Sequence, residues 1–261
     1  MKLIFFSIFS IILLSNFAFA ETDPILISKS VGMNDVIFDG KWTFTTEWKP
    51  SSWNQLNYDN EKTIHLRTAH QDEFLYVFVD FVSDITLDKN SDNAIICFDT
   101  KNDKTEIADS NDYCFSVSLD SKSSFTYQGG SPFAMKGNFK KIPNPESMIA
   151  ISSVSGDKDR YSIIPHTNYE FKIPIELLGR SNVYGFYLGV YDHHERKIYS
   201  WPQDITQETL FDIPSPKLWG EIRSPDNSLP EFGTPIIVFS VIITMILILF
   251  KTNNRFFILK I

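Results

Sequence analysis

Cysteine is nearly absent from this chain: Cys97 and Cys114 are the only two in 261 residues. Two thiols cannot make a four-ligand zinc site, and no Cys pair with haem-attachment spacing exists. Basic residues are in deficit too, 24 against 32 acidic, for a formal net charge of -8. The acids are scattered rather than blocked, so neither nucleic acid nor an anionic membrane surface is the expected main partner. No Gly-rich phosphate loop occurs, and no nucleotide cofactor is expected. A G-x-S-x-G elbow and an H-E-x-x-H zinc motif are both missing, and the two facing carboxylates of a glycosidase cannot be paired among scattered acids. No catalytic residue is assigned, and the expectation is a protein without catalysis of its own. Helix signals are scarce as well.

What the chain does have is organised at its ends. Lys2 precedes an apolar run over 3–14, and Ala18-Phe19-Ala20 follows in the small-x-small pattern of a signal-peptidase site. This predicts a removable signal peptide over 1–20 and a mature chain beginning at Glu21. Residues 234–250 carry no charge and are rich in Ile, Val, Leu and Phe, with Lys251 and Arg255 behind them. They predict a single transmembrane helix and, by the positive-inside rule, a short cytoplasmic tail over 251–261. Four prolines with Ser, Asp and Asn predict an extended linker over 214–233. The expected location is extracytoplasmic, at the cell surface. An oxidising exterior permits a Cys97–Cys114 disulfide, the alternative being two buried thiols on adjacent strands.

Between these ends, residues 21–213 are long enough for one well-cored domain. Short β-rich runs recur between turn residues, which predicts an all-β, single antiparallel sandwich of jelly-roll or immunoglobulin-like type. The clearest hairpin pairs 63–69 with 74–82, and its second arm is apolar on both faces, as a central strand covered on both sides would be. Further strands are expected at 94–98, 113–119, 124–128, 148–154, 169–173 and 184–191. In the last of these, one face carries Tyr184, Phe186, Leu188 and Val190, and the other sets two glycines between tyrosines. Such a face leaves room for a ligand or for a close backbone. One short helical turn is expected at Ile175-Glu176-Leu177-Leu178, opened by Pro174 and closed by Gly179.

Asp39-Gly40-Lys41-Trp42, Glu47-Trp48, the 74–82 strand, an acidic loop after Cys97-Phe98-Asp99, Tyr169-Glu170-Phe171-Lys172-Ile173-Pro174 and a closing Trp201-Pro202 follow one another in order. The ordered set resembles the family-9 carbohydrate-binding modules and the wider DOMON-like sandwich group, over about residues 35–205. The resemblance implies a carbohydrate or glycan partner and, at one remove, an association with glycoside hydrolysis and carbohydrate catabolism. Separately, Pro230-Glu231-Phe232-Gly233 before the apolar span resembles the C-terminal sorting signal of archaeal surface proteins, which implies an archaeosortase-type processing enzyme as a partner. The further apolar stretch Phe256-Phe257-Ile258-Leu259 departs from that pattern.

Sugars stack their C–H faces on aromatic rings and need fixed polar groups for their hydroxyls. Trp48, Trp53, Trp201 and Tyr127, the last beside Gln128, are therefore candidate ligand-binding residues, each with core packing as its alternative. The loop between the cysteines carries Asp99, Asn102, Asp103, Asp109 and Asp112, hard oxygen donors that suit Ca²⁺, the alternative being a solvated acidic loop. Asp192-His193-His194-Glu195 reads as a polar hairpin turn. His65, His70, Met135 and His166 are the side chains from which a DOMON-like haem carrier would draw ligands, a reading ranked below sugar binding and below a purely structural envelope role.

Overall fold

The computed structural model describes residues 23–121, 123–134, 136–203, 205 and 212–226. The expected signal peptide, the motif Pro230-Glu231-Phe232-Gly233, the span 234–250 and the tail 251–261 lie outside the described residues, as does Met135. Among the described residues no helix is long and apolar enough to cross a membrane.

Strands dominate: β1 (Ile25–Leu26), β2 (Ser28–Lys29), β3 (Ser52–Tyr58), β4 (Lys62–Gln71), β5 (Phe74–Phe81), β6 (Asn93–Asp99), β7 (Asp112–Ser118), β8 (Ser124–Gln128), β9 (Lys140–Ile142), β10 (Ile149–Val154), β11 (Thr167–Pro174), β12 (Val183–Asp192), β13 (Lys197–Trp201) and β14 (Gly220–Arg223). They form two stacked sheets. The first runs β1-β14-β12-β6-β7-β8-β9 with β13 also on β12, and the second β10-β11-β5-β4-β2 with β3 also on β4. The expected hairpin is β4–β5, and the six further expected strands are β6, β7, β8, β10, β11 and β12. The helical turn is present as α1 (Ile175–Leu178), held by the Gly179 N–H donating to the Ile175 carbonyl at 2.7 Å.

Alternation sends every second side chain inward. Leu75, Val77, Val79 and Phe81 of β5 meet Ala94, Ile96 and Phe98 of β6 and Tyr184, Phe186, Leu188 and Val190 of β12 in one core. Both sheets are also covered outside. Residues 33–48 lay Met33, Val36, Trp42 and Trp48 over Ala69, Tyr76 and Phe78 of the second sheet, which is why β5 is apolar on both faces. Each such fully buried large side chain contributes roughly 1.5–3 kcal/mol. Glu170, fully buried on β11, fastens this cover by accepting from the Gly40 N–H at 2.7 Å and from the Trp48 indole N–H at 3.0 Å. Gly40 is required here, since its φ is +85° and a Cβ would stand 2.3 Å from the Ser152 carbonyl carbon.

Two expectations need correction. The sandwich is not purely antiparallel, because the N-terminal segment crosses from one sheet to the other and pairs in parallel at both ends, β1 with β14 and β2 with β4. Nor is 214–233 linker throughout. A 3₁₀ turn at Pro216–Leu218 and strand β14 close the first sheet, anchored by Trp219 and Ile222, which are 2 % and 0 % exposed. Prolines next to two large apolar anchors made a short strand look like a tether.

Cys97 and Cys114 face each other across β6 and β7 and are joined in a disulfide. Thiol labelling of the unfolded, unreduced protein should find no free cysteine, and reduction should lower stability by roughly 3 kcal/mol. Two labelled thiols per chain would contradict the bond.

Candidate functional site

The outer face of the first sheet is only partly covered. The disulfide, Ala108, Phe139, Ile213 and Trp219 pack over one part of it. Beside them opens a cavity of about 140 Å³ whose lining includes Tyr127, Tyr187, Gly189, Tyr191, Asn93 and Ser116, with Lys136 and Asp212 also against it.

Strand register explains this lining. Gly189, Ile95 and Ser116 lie in one transverse row across β12, β6 and β7 and make a low floor. On one side the next outward row is Tyr191 and Asn93; on the other it is Tyr187, the disulfide and Tyr127. The floor stays low because Gly189 has no side chain: a Cβ there would come within 2.6 Å of the Tyr187 hydroxyl. Tyr187 is fully buried and packs parallel to Trp219 at 6.3 Å. Burial pushes its phenol above the ordinary range, so the hydroxyl stays neutral. Lys136 Nζ lies 5.0 Å from the Tyr127 ring centroid, and the Lys136 N–H donates to Asp212 at 3.1 Å, tying one wall to the other. The result is a slot between aromatic rings, rimmed by one amide, one hydroxyl, one ammonium and one carboxylate.

The five residues expected to bind a ligand do not converge. Trp48 is a core residue, stacked on Phe78 at 5.2 Å with its N–H spent on Glu170. Trp201 is 4 % exposed and packs on Phe186 inside the sandwich. Both are corrections: each ring fills a space between layers and has no face left for a sugar. Trp53 is 52 % exposed on β3, but on the other sheet, where its N–H donates to His65 Nδ1 at 3.2 Å and its ring lies parallel to Tyr161. Only Tyr127 lines the cavity. Its neighbour Gln128 points away and donates to the Ser110 carbonyl and the Tyr113 hydroxyl, bracing the acidic loop. Tyr187, Tyr191, Asn93, Lys136 and Asp212 were not singled out as ligand residues; the glycine-tyrosine alternation in 184–191 was the signal that located their face.

The acidic loop folds back on itself. Asp99 and Asp112 pair across β6 and β7 and are fully buried. Asp99 accepts the N–H groups of Lys101 and Lys104, Asp109 that of Asn111, and Asp103 the Asn111 amide at 3.3 Å. Asn102 donates to Glu221. One oxygen each of Asp112, Asn102 and Asn111 has no hydrogen-bond partner. Burial, followed by the nearby charges of Asp99, Asp109 and Asp103, pushes the Asp112 carboxyl up to about 7. Asp192-His193-His194-Glu195 closes the β12–β13 hairpin with His193, His194 and Glu195 exposed.

No protein-family profile matches the chain and no curated protein matches it. Among solved structures, a carbohydrate binding module of family 9 from Caldicellulosiruptor kristjanssonii, in complex with cellotriose, superposes with a TM-score of 0.50 at 16% identity, over 81% of this chain and 100% of that one. A second structure of a family-9 module from the same organism, in complex with glucose, gives 0.49 at 15% identity over 77% and 95%. The chain therefore has the β-sandwich fold seen in the first of these modules.

The tryptophans should separate by stability. Trp48→Ala and Trp201→Ala each remove a buried ring and should cost about 3–5 kcal/mol, whereas Trp53→Ala should cost well under half of that. Denaturant titration checks this, and equal losses at all three positions would contradict the placements.

Proposed function

We propose that the chain is a non-catalytic carbohydrate-binding protein whose site is the slot on the outer face of the first sheet. The observation that carries this reading is the row Gly189–Ile95–Ser116 lying between Tyr191 on one side and Tyr187 with Tyr127 on the other. The Tyr191 and Tyr127 rings offer the apolar surface that a sugar's C–H groups stack on, while Asn93, Ser116 and Asp212 supply polar partners for hydroxyls. The fold shared with a module solved with cellotriose supports the same ligand class. The small volume favours one sugar unit over a long chain. Display outside the cytoplasm belongs to this reading as well, supported by the N-terminal and C-terminal signals in the sequence.

Calorimetric titration of the purified protein against glucose, cello-oligosaccharides and cell-envelope oligosaccharides tests the proposal. Tyr191→Ala and Tyr127→Ala should each weaken binding about tenfold, equivalent to about 1.4 kcal/mol, without unfolding the protein. Loss of binding on Trp53→Ala alone would move the site to the other sheet. A folded protein that binds nothing in the panel would leave the structural envelope role as the better reading.

Calcium fits the acidic loop. Asp112, Asn102 and Asn111 each hold a buried oxygen without a hydrogen-bond partner, the hard donors that Ca²⁺ takes, and the ion would offset the charges of Asp99, Asp109 and Asp103 that act on Asp112. Adding millimolar Ca²⁺ after chelation should raise the melting temperature by several degrees, and Asp112→Asn should abolish most of that rise. An unchanged melting curve would remove calcium from the reading.

A further inference from the structure

On the outer face of the second sheet, strand register sets His65, Asp80 and Asn168 in one transverse row across β4, β5 and β11. The segment between β10 and β11 folds over this row and adds Asp159 and His166. The side chains of Asp80, Asp159 and His166 are wholly buried, and Asn168 is also fully buried. His166 Nε2 stands 2.8 Å from Asp80 Oδ1 and 3.7 Å from Asp159 Oδ2, and one ligand atom from each of the three lies within 4.8 Å of the others.

Two buried oxygens at this point, Asp80 Oδ2 and Asn168 Oδ1, have no hydrogen-bond partner, and Asp80 Oδ1 has only His166 Nε2 beside it at 2.8 Å. Such groups are rare in folded proteins because each left unpaired costs roughly 1–3 kcal/mol. The imidazole is also oriented. His166 Nδ1 is 2.6 Å from the Ile164 carbonyl, which can only accept, so Nδ1 carries the proton and in the neutral ring the Nε2 lone pair faces the carboxylates. Two carboxylates and an imidazole nitrogen converging on one buried point call for a cation.

We propose that Asp80, Asp159 and His166 bind a divalent transition ion of the zinc class, with the Asn168 amide oxygen beside it. An imidazole in the set favours zinc over calcium or magnesium. Tetrahedral Zn²⁺, bound at about 2.0–2.2 Å, sets its ligand atoms about 3.3 Å apart, between the two separations found here. The ion would staple the segment 155–166 to β5. That segment carries Tyr161, whose ring stacks on His65 at 3.8 Å and whose hydroxyl accepts from Arg67 at 2.7 Å.

The test uses the full chain, stripped with a chelator, loaded with Zn²⁺ or Co²⁺ and passed through gel filtration. Elemental analysis should find one Zn²⁺ per chain, the melting temperature should rise by several degrees, and Co²⁺ should give a visible ligand-field spectrum. Asp80→Asn and His166→Gln should lose the ion and the spectrum, whereas replacing the exposed pair His193 and His194 by Ala should leave both intact. Should the first two variants fail to fold, Asp159→Asn, on the covering segment, takes their place. Wild-type protein that retains neither ion, or cluster variants that keep a full equivalent, would overturn the proposal in favour of a buried histidine–aspartate pair.

Discussion

The carboxylate of Glu170 is the contact on which the second sheet's arrangement turns. It sits fully buried in the middle of a sheet face and accepts one backbone N–H and one indole N–H, both from the segment that covers that face. Without those donors the group would be an unpaired buried acid; without the acid, two donors would be orphaned. Glu47 repeats the device within the cover itself, accepting the N–H groups of Ile37 and Thr43. Residues that form no regular strand are thereby held as firmly as strands, and they seal the apolar outer side of β5.

The first sheet is covered differently. Its outer face is closed by the disulfide and by Ala108, Phe139, Ile213 and Trp219, which leaves the area around Gly189 open. A face sealed by a long segment packed at full density has no space for a ligand. A face closed from one side keeps a slot where small residues meet the edge of the cover. The asymmetry between the two covers therefore positions the candidate site.

Much of this was legible in the sequence. Alternation marked the principal strands, Pro174 and Gly179 marked α1, and two cysteines at strand positions marked their own pairing. The resemblance to family-9 modules pointed to the right fold, yet its landmarks are the cover and its anchor: Gly40, Trp48 and Glu170 meet in one hydrogen-bonded contact. That is why choosing tryptophans from those landmarks selected core residues. A buried ring and a sugar-stacking ring have the same local sequence, and only the layer above decides between them. The short strands β1, β2, β9 and β14 left no periodic signal because two to four residues cannot show one, and β3 and β13, though longer, were not singled out either.

The buried acids give the molecule its second theme. Asp80, Asp84 and Asp112 are each pushed up to about 7, with burial the largest cause in every case. A carboxyl raised in the folded state contributes stability that is complete below its ordinary range and is lost as pH rises through the raised value. At neutral pH these side chains therefore oppose folding unless something positive joins them. For Asp80 the neighbouring His166 lowers the value in part, whereas for Asp112 the nearby carboxylates Asp99, Asp109 and Asp103 raise it further. A cation bound beside such a group would offset that cost. Orphaned oxygens accompany a raised carboxylate at Asp84, in the loop between the cysteines and in the cluster under Tyr161, and the last two, proposed above as cation sites, differ in their donors. The loop offers only oxygen, whereas the cluster adds an imidazole nitrogen.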